Sequence, residues 1–214
     1  GRITYDSRGA IQGVGALGTV ALATGRELAD EQGFAMGLRA MGTPLENAVE
    51  EMDKLRAVSD ELKLAGGPQA LADSFGKLEG ILQGVVTKTE EEKGKLRGLM
   101  GVLGEGAKTP ERADQTRAAT MNMLRSRALD IERATGRKVV NDQGELIDPT
   151  KTLQDLRALS ARRHGGNTAE MRRALINTYG MDAGLAILRG GFDRAEQLGG
   201  LNAPGSTQAD ADRA

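Results

Sequence analysis

The chain has 214 residues and a formal net charge of −1, with a pI near 6.0, so no overall field favours nucleic acid or an anionic membrane. It contains no Cys and one His. This composition excludes disulfides, thiolate chemistry and Cys-based metal sites, and it argues against a His-based one. Because residue 1 is Gly rather than Met, we expect the chain to be a processed piece of a longer protein.

Two helices are predicted before residue 42. Residues 11–24 are apolar but rich in Gly, and residues 26–41 are amphipathic. The chain has 30 glycines, about twice the usual share, which predicts many small–small helix contacts and short breaks. Aromatic residues are 2% of the chain, so the core must consist mainly of Leu, Ala, Ile, Val and Met.

Capping signals predict the next three helices. Thr43-Pro44-Leu45-Glu46 is a predicted capping box, and the helix after it has apolar residues at a 3–4 spacing up to Leu62. Gly66-Gly67-Pro68 ends this helix, and a second one is predicted over 69–85. Thr89 and Glu92 form another capping box, which opens a helix to about Leu103.

The longest predicted helix begins at Thr109-Pro110 and ends near Thr135-Gly136. We expect Met121 and Met123 to fill gaps in its core face. After it, two apolar runs flank Asn141-Asp142-Gln143-Gly144, a sequence typical of a turn. The pattern predicts one small β-hairpin near residues 138–147.

Helices return after this segment. Asp148-Pro149 is predicted to cap a helix containing Leu153, Leu156 and Leu159, and Asn167 to cap another that ends at Gly180. A short helix follows over 182–188. Residues 199–214 are rich in Gly, Asn, Pro, Ser and Asp, which predicts a flexible, disordered tail. The fold class is therefore all-α, with about eight loosely bundled helices and the one hairpin.

Gly13, Gly15 and Gly18 spell G-x-G-x-x-G, which binds dinucleotides when a buried strand precedes it. Residues 6–10 are not such a strand, so we interpret the glycines as sites of close helix packing. Such packing could also form a seam between subunits or beside lipid.

The lone His164 could act as a general base, but no nucleophile motif or carboxylate pair accompanies it, and we interpret it as a solvated loop residue. Arg162, Arg163, Arg172 and Arg173 form a local basic patch that could contact phosphate, although acidic residues are interspersed. The run Glu90–Glu92 fits the first turn of a helix better than a metal site. No catalytic, cofactor-binding or metal-ligating residue is predicted.

Several features follow one another in a fixed order between Leu28 and Gly191. They are the breaks at 42–44 and 66–68, the long helix ending at Gly136, the apolar–turn–apolar segment up to Asp148-Pro149, the helix with Leu153 and Leu156, and a closing helix, Gly break and helix with Tyr179, Gly180 and Gly184. In this order, the stretch resembles the globular helical domain of phage tail tape measure proteins, also called phage-related minor tail proteins. The chain lacks the long heptad array of such proteins, so it would be one domain of such a protein or a short relative.

The resemblance implies a non-enzymatic structural virion protein that acts in tail assembly, length determination and genome delivery. It implies a Gly-rich lead-in at 1–27, a tape-measure-like domain at 28–191, and a helix end with a flexible tail at 192–214. The partners implied are tail tube and tail tip proteins, tail assembly chaperones, a trimer or hexamer of the chain itself, and transient host membrane, without specific nucleic acid or any cofactor. The implied location is the virion tail, and the host cytoplasm during assembly. The residues expected to shape the hairpin and the helical closure are Gly136, Gly144, Asp148, Pro149, Leu153, Leu156, Tyr179, Gly180 and Gly184.

Three rival functions stay open. The first is an all-α adaptor that binds a partner helix or protein surface. The second is a membrane-active helical protein in which residues 10–24 insert, although no run of 18 uncharged apolar residues is present to span a bilayer. The third is an enzyme domain that uses His164 with an acidic partner.

Overall fold

The computed structural model describes the backbone of residues 7–214 and the side chains from residue 15 onward. Within these residues the chain is all-α, as predicted, and contains no β-strand. The thirteen α-helices are α1 (Ser7–Thr24), α2 (Gln32–Ala40), α3 (Ala48–Leu62), α4 (Gly67–Lys77), α5 (Glu79–Leu82), α6 (Glu90–Gly104), α7 (Pro110–Ser126), α8 (Ala128–Thr135), α9 (Pro149–Arg163), α10 (Thr168–Tyr179), α11 (Met181–Arg189), α12 (Ala195–Gly199) and α13 (Ser206–Arg213). Single 3₁₀ turns occupy Leu28–Glu31, Leu45–Asn47 and Phe192–Arg194.

The predicted number of helices, about eight, is wrong partly because two predicted helices are broken. The helix expected over 69–85 divides into α4 and α5 at Leu78, and the longest predicted helix divides into α7 and α8 at Arg127. Both break residues have φ near −100° and ψ near +15°, which leaves the α-helical region and changes the direction of the chain. Apolar residues continue across each break, so the sequence pattern does not reveal it.

Four of the five predicted side-chain caps are confirmed, those of Thr89, Thr109, Asp148 and Asn167. Oγ1 of Thr89 accepts from the Glu92 amide at 3.1 Å, while Oε1 of Glu92 accepts from the Thr89 amide at 2.9 Å. Thr109 and Asn167 accept from the amides three residues ahead. These bonds satisfy amides that have no partner within their helix.

The capping box predicted at Thr43 is wrong. The chain enters the 3₁₀ turn Leu45–Asn47 through Pro44, which has an extended conformation and no side-chain cap. Thr43 is buried, and its hydroxyl has no hydrogen-bond partner among the described residues. The start of α3 is therefore set by Pro44 and the 3₁₀ turn rather than by a hydroxyl cap.

One hydrophobic core joins the helices from Leu17 in α1 to Leu198 in α12. As predicted, it is mainly aliphatic, and both Met121 and Met123 belong to it. The three phenylalanines are buried in it as well.

Membrane spans were sought among the helices of residues 7–214. None of these helices combines the length and the hydropathy that a bilayer span needs.

Glycines allow α6 and α12 to pack with their backbones in contact. A Cβ atom on Gly98 would overlap the carbonyl oxygen of Ala195, and one on Gly199 would overlap that of Gly94. The expectation of small–small helix contacts is therefore confirmed between these two helices. The backbone of α2 approaches α4 in the same way, at Gly37 and Gly76.

A buried ion pair lies beside this contact. Arg97 of α6 donates from Nε to Oε1 of Glu51 at 2.7 Å and from Nη2 to Oε2 at 3.0 Å. Its Nη1 donates to the Gly199 carbonyl oxygen at 2.8 Å. The side chains of Arg97 and Glu51 are 3% and 6% exposed, so one guanidinium connects α3, α6 and α12 away from water.

A second buried guanidinium, that of Arg117 in α7, holds α7 against α6 and α4. It donates to the Met100 carbonyl oxygen at 2.8 Å, to Ser74 Oγ at 3.0 Å and to Asp114 Oδ1 at 3.1 Å. Burial lowers the pKa of Arg117, and Asp114 opposes that effect. Gly104 leaves the space that this guanidinium occupies.

The flexible tail predicted for 199–214 is wrong at its end, because residues 206–213 form α13 and contact α1 and α3. Asp53 of α3 accepts from the amides of Gly205 and Thr207 at 3.0 and 2.9 Å, and from Ser206 Oγ at 3.2 Å. Asp210 then pairs with Arg56 of α3. The cap of α13 thus comes from a residue about 150 positions away, which a local pattern cannot indicate.

We predict that Gly98→Ala destabilises the fold by about 2–3 kcal/mol, because the added methyl group would push α12 away from α6. The matched control is Gly18→Ala in α1, where a Cβ atom meets nothing within 4 Å. The control should be neutral or stabilising by about 0.5–1 kcal/mol, since Ala favours a helix over Gly. Guanidinium chloride unfolding measures both, and equal stability of the two variants would contradict the packing described.

Candidate functional site

The segment between α8 and α9 is an irregular connection rather than the predicted hairpin. Val140 and Leu146 form one isolated antiparallel bridge, and Leu146 also forms a parallel bridge with Val85. The Leu146 amide donates to the Gly84 carbonyl oxygen at 2.7 Å, and its carbonyl accepts from the Val86 amide at 3.0 Å. The pairing stops after one residue because the chain turns into α9 at Asp148. The hairpin prediction is therefore wrong, although its residues do pair.

The turn within this segment has the geometry that its sequence suggests. Asn141 Oδ1 accepts from the amides of Gln143 and Glu145 at 3.1 and 2.8 Å. Gly144 has φ of +77°, and Gly136, which ends α8, has φ of +73°. Both glycines occupy the left-handed region, where a Cβ atom is strained.

Asp148 and Pro149 start α9 and connect it to α6. Asp148 is non-glycine with φ of +44°, and its Oδ1 accepts from the Lys151 amide at 3.2 Å. Its Oδ2 lies 3.5 Å from Nζ of Lys95, which also pairs with Glu91 at 3.8 Å. Burial disfavours the charge on Lys95, but Asp148 and the other carboxylates outweigh it and raise the lysine pKa.

A surface cavity of about 380 Å³ lies where this segment meets the start of α6. Its apolar wall is formed by Val85, Val86, Leu96, Ile147 and Pro149. Its polar rim is formed by Thr89, Glu91, Glu92, Lys95, Asp148 and Thr150. We call it the α6-start cavity.

The rim of the α6-start cavity has three carboxylates and one ammonium group. The ammonium of Lys95 forms ion pairs with Glu91 and Asp148, and Glu92 accepts a hydrogen bond in the cap of α6. Thr150 is buried, and its hydroxyl has no partner among the described residues. Such a site has an apolar wall and a negative rim, which suits an inserted apolar or cationic side chain better than acid–base chemistry.

The remaining predicted residues lie within α9 and in the pair formed by α10 and α11. Leu153 and Leu156 are buried in the core. Gly180, with φ of +89°, joins α10 to α11. A Cβ atom on Gly184 would lie 2.8 Å from the backbone of Ile176 and Leu175, so this glycine allows α11 to approach α10 closely.

A small cavity of about 60 Å³ lies near Leu156, Ser160, His164 and Tyr179. His164 lies in the turn that follows α9, as expected, but its side chain is only 28% exposed, so it is less solvated than expected. Its Nδ1 is 3.8 Å from Oε2 of Glu170, which is too long for a hydrogen bond. Burial raises the pKa of Tyr179, against the opposing charge of Arg127 and Arg163.

The nine residues predicted from the resemblance thus form two groups connected by α9. Gly136, Gly144, Asp148 and Pro149 shape the connection that leads into α9. Tyr179, Gly180 and Gly184 shape the α10–α11 closure, and Leu153 and Leu156 belong to α9 itself.

The other candidates from the sequence are the glycines of the G-x-G-x-x-G pattern and the arginines of the basic patch. Gly13, Gly15 and Gly18 lie inside α1, so the strand–turn–helix of a dinucleotide site is not formed there. A Cβ atom on Gly15 or Gly18 meets nothing within 4 Å, so the close helix packing that we predicted is wrong at these two glycines. The surroundings of Gly13 lie outside the described side chains. Arg162, Arg163, Arg172 and Arg173 are all exposed.

The acidic run Glu90–Glu92 forms the first turn of α6, as expected, and Glu92 completes the cap. Within the region that the structure describes, no group of three or more His, Asp or Glu side chains is placed to hold a metal ion.

Comparisons of the chain with protein-family models, with curated proteins and with solved structures found no match. The resemblance to tape measure proteins therefore rests on the residues quoted for it.

We predict that Gly144→Val destabilises the fold by about 1–2 kcal/mol, because a β-branched residue is strained at φ of +77°. Gly144→Asn is the matched control and should cost less, since Asn tolerates the left-handed region. Thermal unfolding measures both variants. Unchanged melting temperatures for Val and Asn alike would contradict the turn geometry.

Proposed function

We propose that the chain is a structural domain of a phage tail tape measure protein, acting in tail assembly, length determination and genome delivery. The support is the ordered set of residues between Leu28 and Gly191 that resembles this family. The proposal places the protein in the virion tail, and in the host cytoplasm during assembly. Its proposed partners are tail tube and tail tip proteins, assembly chaperones and other copies of the chain, with transient contact with the host membrane.

One observation carries this proposal: the residues of the resemblance shape the backbone. Gly136, Gly144 and Gly180 adopt positive φ, and Gly184 permits close helix contact. Leu146, within the same segment, is completely buried. Residues of these kinds specify a rigid helical body, which is what a structural domain requires, and present no reactive group.

A second candidate is a protein-binding adaptor, which the α6-start cavity favours. Its apolar wall and negative rim could hold a side chain from a partner protein. The membrane-active alternative is less compatible with the packing of α1. Leu17, Val20 and Ala21 of that helix are buried, so inserting residues 10–24 into lipid would first require α1 to leave the body of the protein.

Labelling of phage particles tests the proposal. An antibody raised against the purified chain should label the tails of particles that were purified from the producing host and then opened by mild denaturant, since the family's chain is packed inside the tail tube. Peptides of the chain should be detected in those particles by mass spectrometry. A matched lysate from cells in which the gene is deleted should give neither signal. Detection of the chain only in the host fraction, with tailed particles formed normally without it, would contradict a structural role in the tail.

A further inference from the structure

A second surface cavity, of about 440 Å³, lies between the loop that joins α6 to α7 and the helix α11. Its wall includes the apolar side chains of Leu103, Leu185 and Ala186. Lys108, Arg112 and Arg189 also line it. We call it the α7–α11 cavity, and nothing in the proposed function uses it.

The charge of this cavity is opposite to that of the α6-start cavity. Three cations line it against one carboxylate, that of Asp182, which leaves an excess of two positive charges. The whole chain has a net charge of −1, so the excess is local. Lys108 is exposed at the rim, where its ammonium group is accessible to a ligand.

The two guanidinium groups are held in place by the protein. Nη2 of Arg112 contacts Oδ1 of Asp182 at 2.6 Å, and the arginine side chain remains 50% exposed. Nη2 of Arg189 donates to the carbonyl oxygens of Val102 and Leu103, at 3.2 Å each. A guanidinium has five N–H donors, so each of these arginines keeps donors for a ligand.

The charge of Arg189 is incompletely compensated. Its partners at the end of α6 are neutral carbonyl groups, and Glu105, the carboxylate that acts on it, is engaged by Arg194. Desolvation lowers the pKa of Arg189, against the opposing effect of Glu105. An anion in the cavity would supply the missing negative charge.

We propose that the α7–α11 cavity binds the phosphate group of a small phosphomonoester. Lys108, Arg112 and Arg189 contact its oxygens, and the organic part lies on Leu103, Leu185 and Ala186. A dianionic phosphate matches the excess of two positive charges, and its three terminal oxygens suit the fork of an arginine. The apolar wall distinguishes an organic phosphate from free phosphate.

Titration with phenyl phosphate and with inorganic phosphate, followed by amide NMR shifts at constant ionic strength, tests this inference. We expect phenyl phosphate to shift the amides of residues 106–112 and 185–189, and to bind about fivefold more tightly than inorganic phosphate because of the apolar wall. Equal affinity of the two probes, or shifts spread evenly over the chain, would overturn the proposal. Binding of a short single-stranded oligonucleotide without binding of phenyl phosphate would also overturn it.

The matched variants are two double substitutions that remove the same charge. Lys108→Gln with Arg112→Gln should weaken binding of phenyl phosphate by about tenfold or more. Arg133→Gln with Lys138→Gln, at exposed positions of α8 and the following segment, should leave it within about twofold, because neither residue lines the cavity. Equal weakening by both pairs would show that net charge alone attracts the ligand, which would overturn a defined site.

Discussion

The buried pair of Glu51 and Arg97 is the interaction on which the rest of the fold depends. Its three contacts join α3, α6 and α12 at one point. Charges this far from water are stable only when all their partners are in place. Arg97 reaches the Gly199 carbonyl oxygen because Gly94, Gly98 and Gly199 let the α6 and α12 backbones touch. The glycines and the ion pair are therefore one structural unit, and neither explains the packing alone.

The same helix, α6, also relates the two cavities. Lys95 and Leu96 line the negative cavity at its start, and Leu103 lines the positive cavity at its end. Lys95 and Leu103 are eight residues apart, so about 12 Å of helix separates them. A rigid α6 thus holds two sites of opposite charge at a fixed distance. The chain therefore presents cavities of opposite charge near the two ends of one helix.

Sequence predicts best what depends on neighbouring residues. The helix caps were predictable because each cap residue accepts a hydrogen bond from the amide only three positions ahead of it. These cap residues are Thr89, Thr109, Asp148 and Asn167. The turn at Gly144 follows from Asn141 and the glycine itself. These features required no knowledge of the tertiary structure.

The sequence does not predict the features whose structure depends on residues far away along the chain. The tail forms α13 because Asp53, on α3, caps it. Leu146 pairs not only with Val140 in its own segment but also with the distant Val85. The predicted residues Asp148 and Pro149 do line the α6-start cavity, but Val85 and Lys95 meet them only in the folded chain. A signal for the buried ion pair was present: Arg97 lies among Leu96, Gly98 and Leu99, and a charge inside an apolar, Gly-rich run indicates a partner elsewhere.

A double-mutant cycle on Glu51 and Arg97 tests the central claim most directly. Glu51→Met, Arg97→Met and the double variant would be compared with the unmodified chain by guanidinium chloride unfolding. Each single substitution should cost about 3–5 kcal/mol, and the double variant should cost less than their sum, because each single variant leaves a buried charge unpaired. Single costs below about 1 kcal/mol, as for exposed ion pairs, with additive effects, would contradict the claim that this pair holds the three helices together.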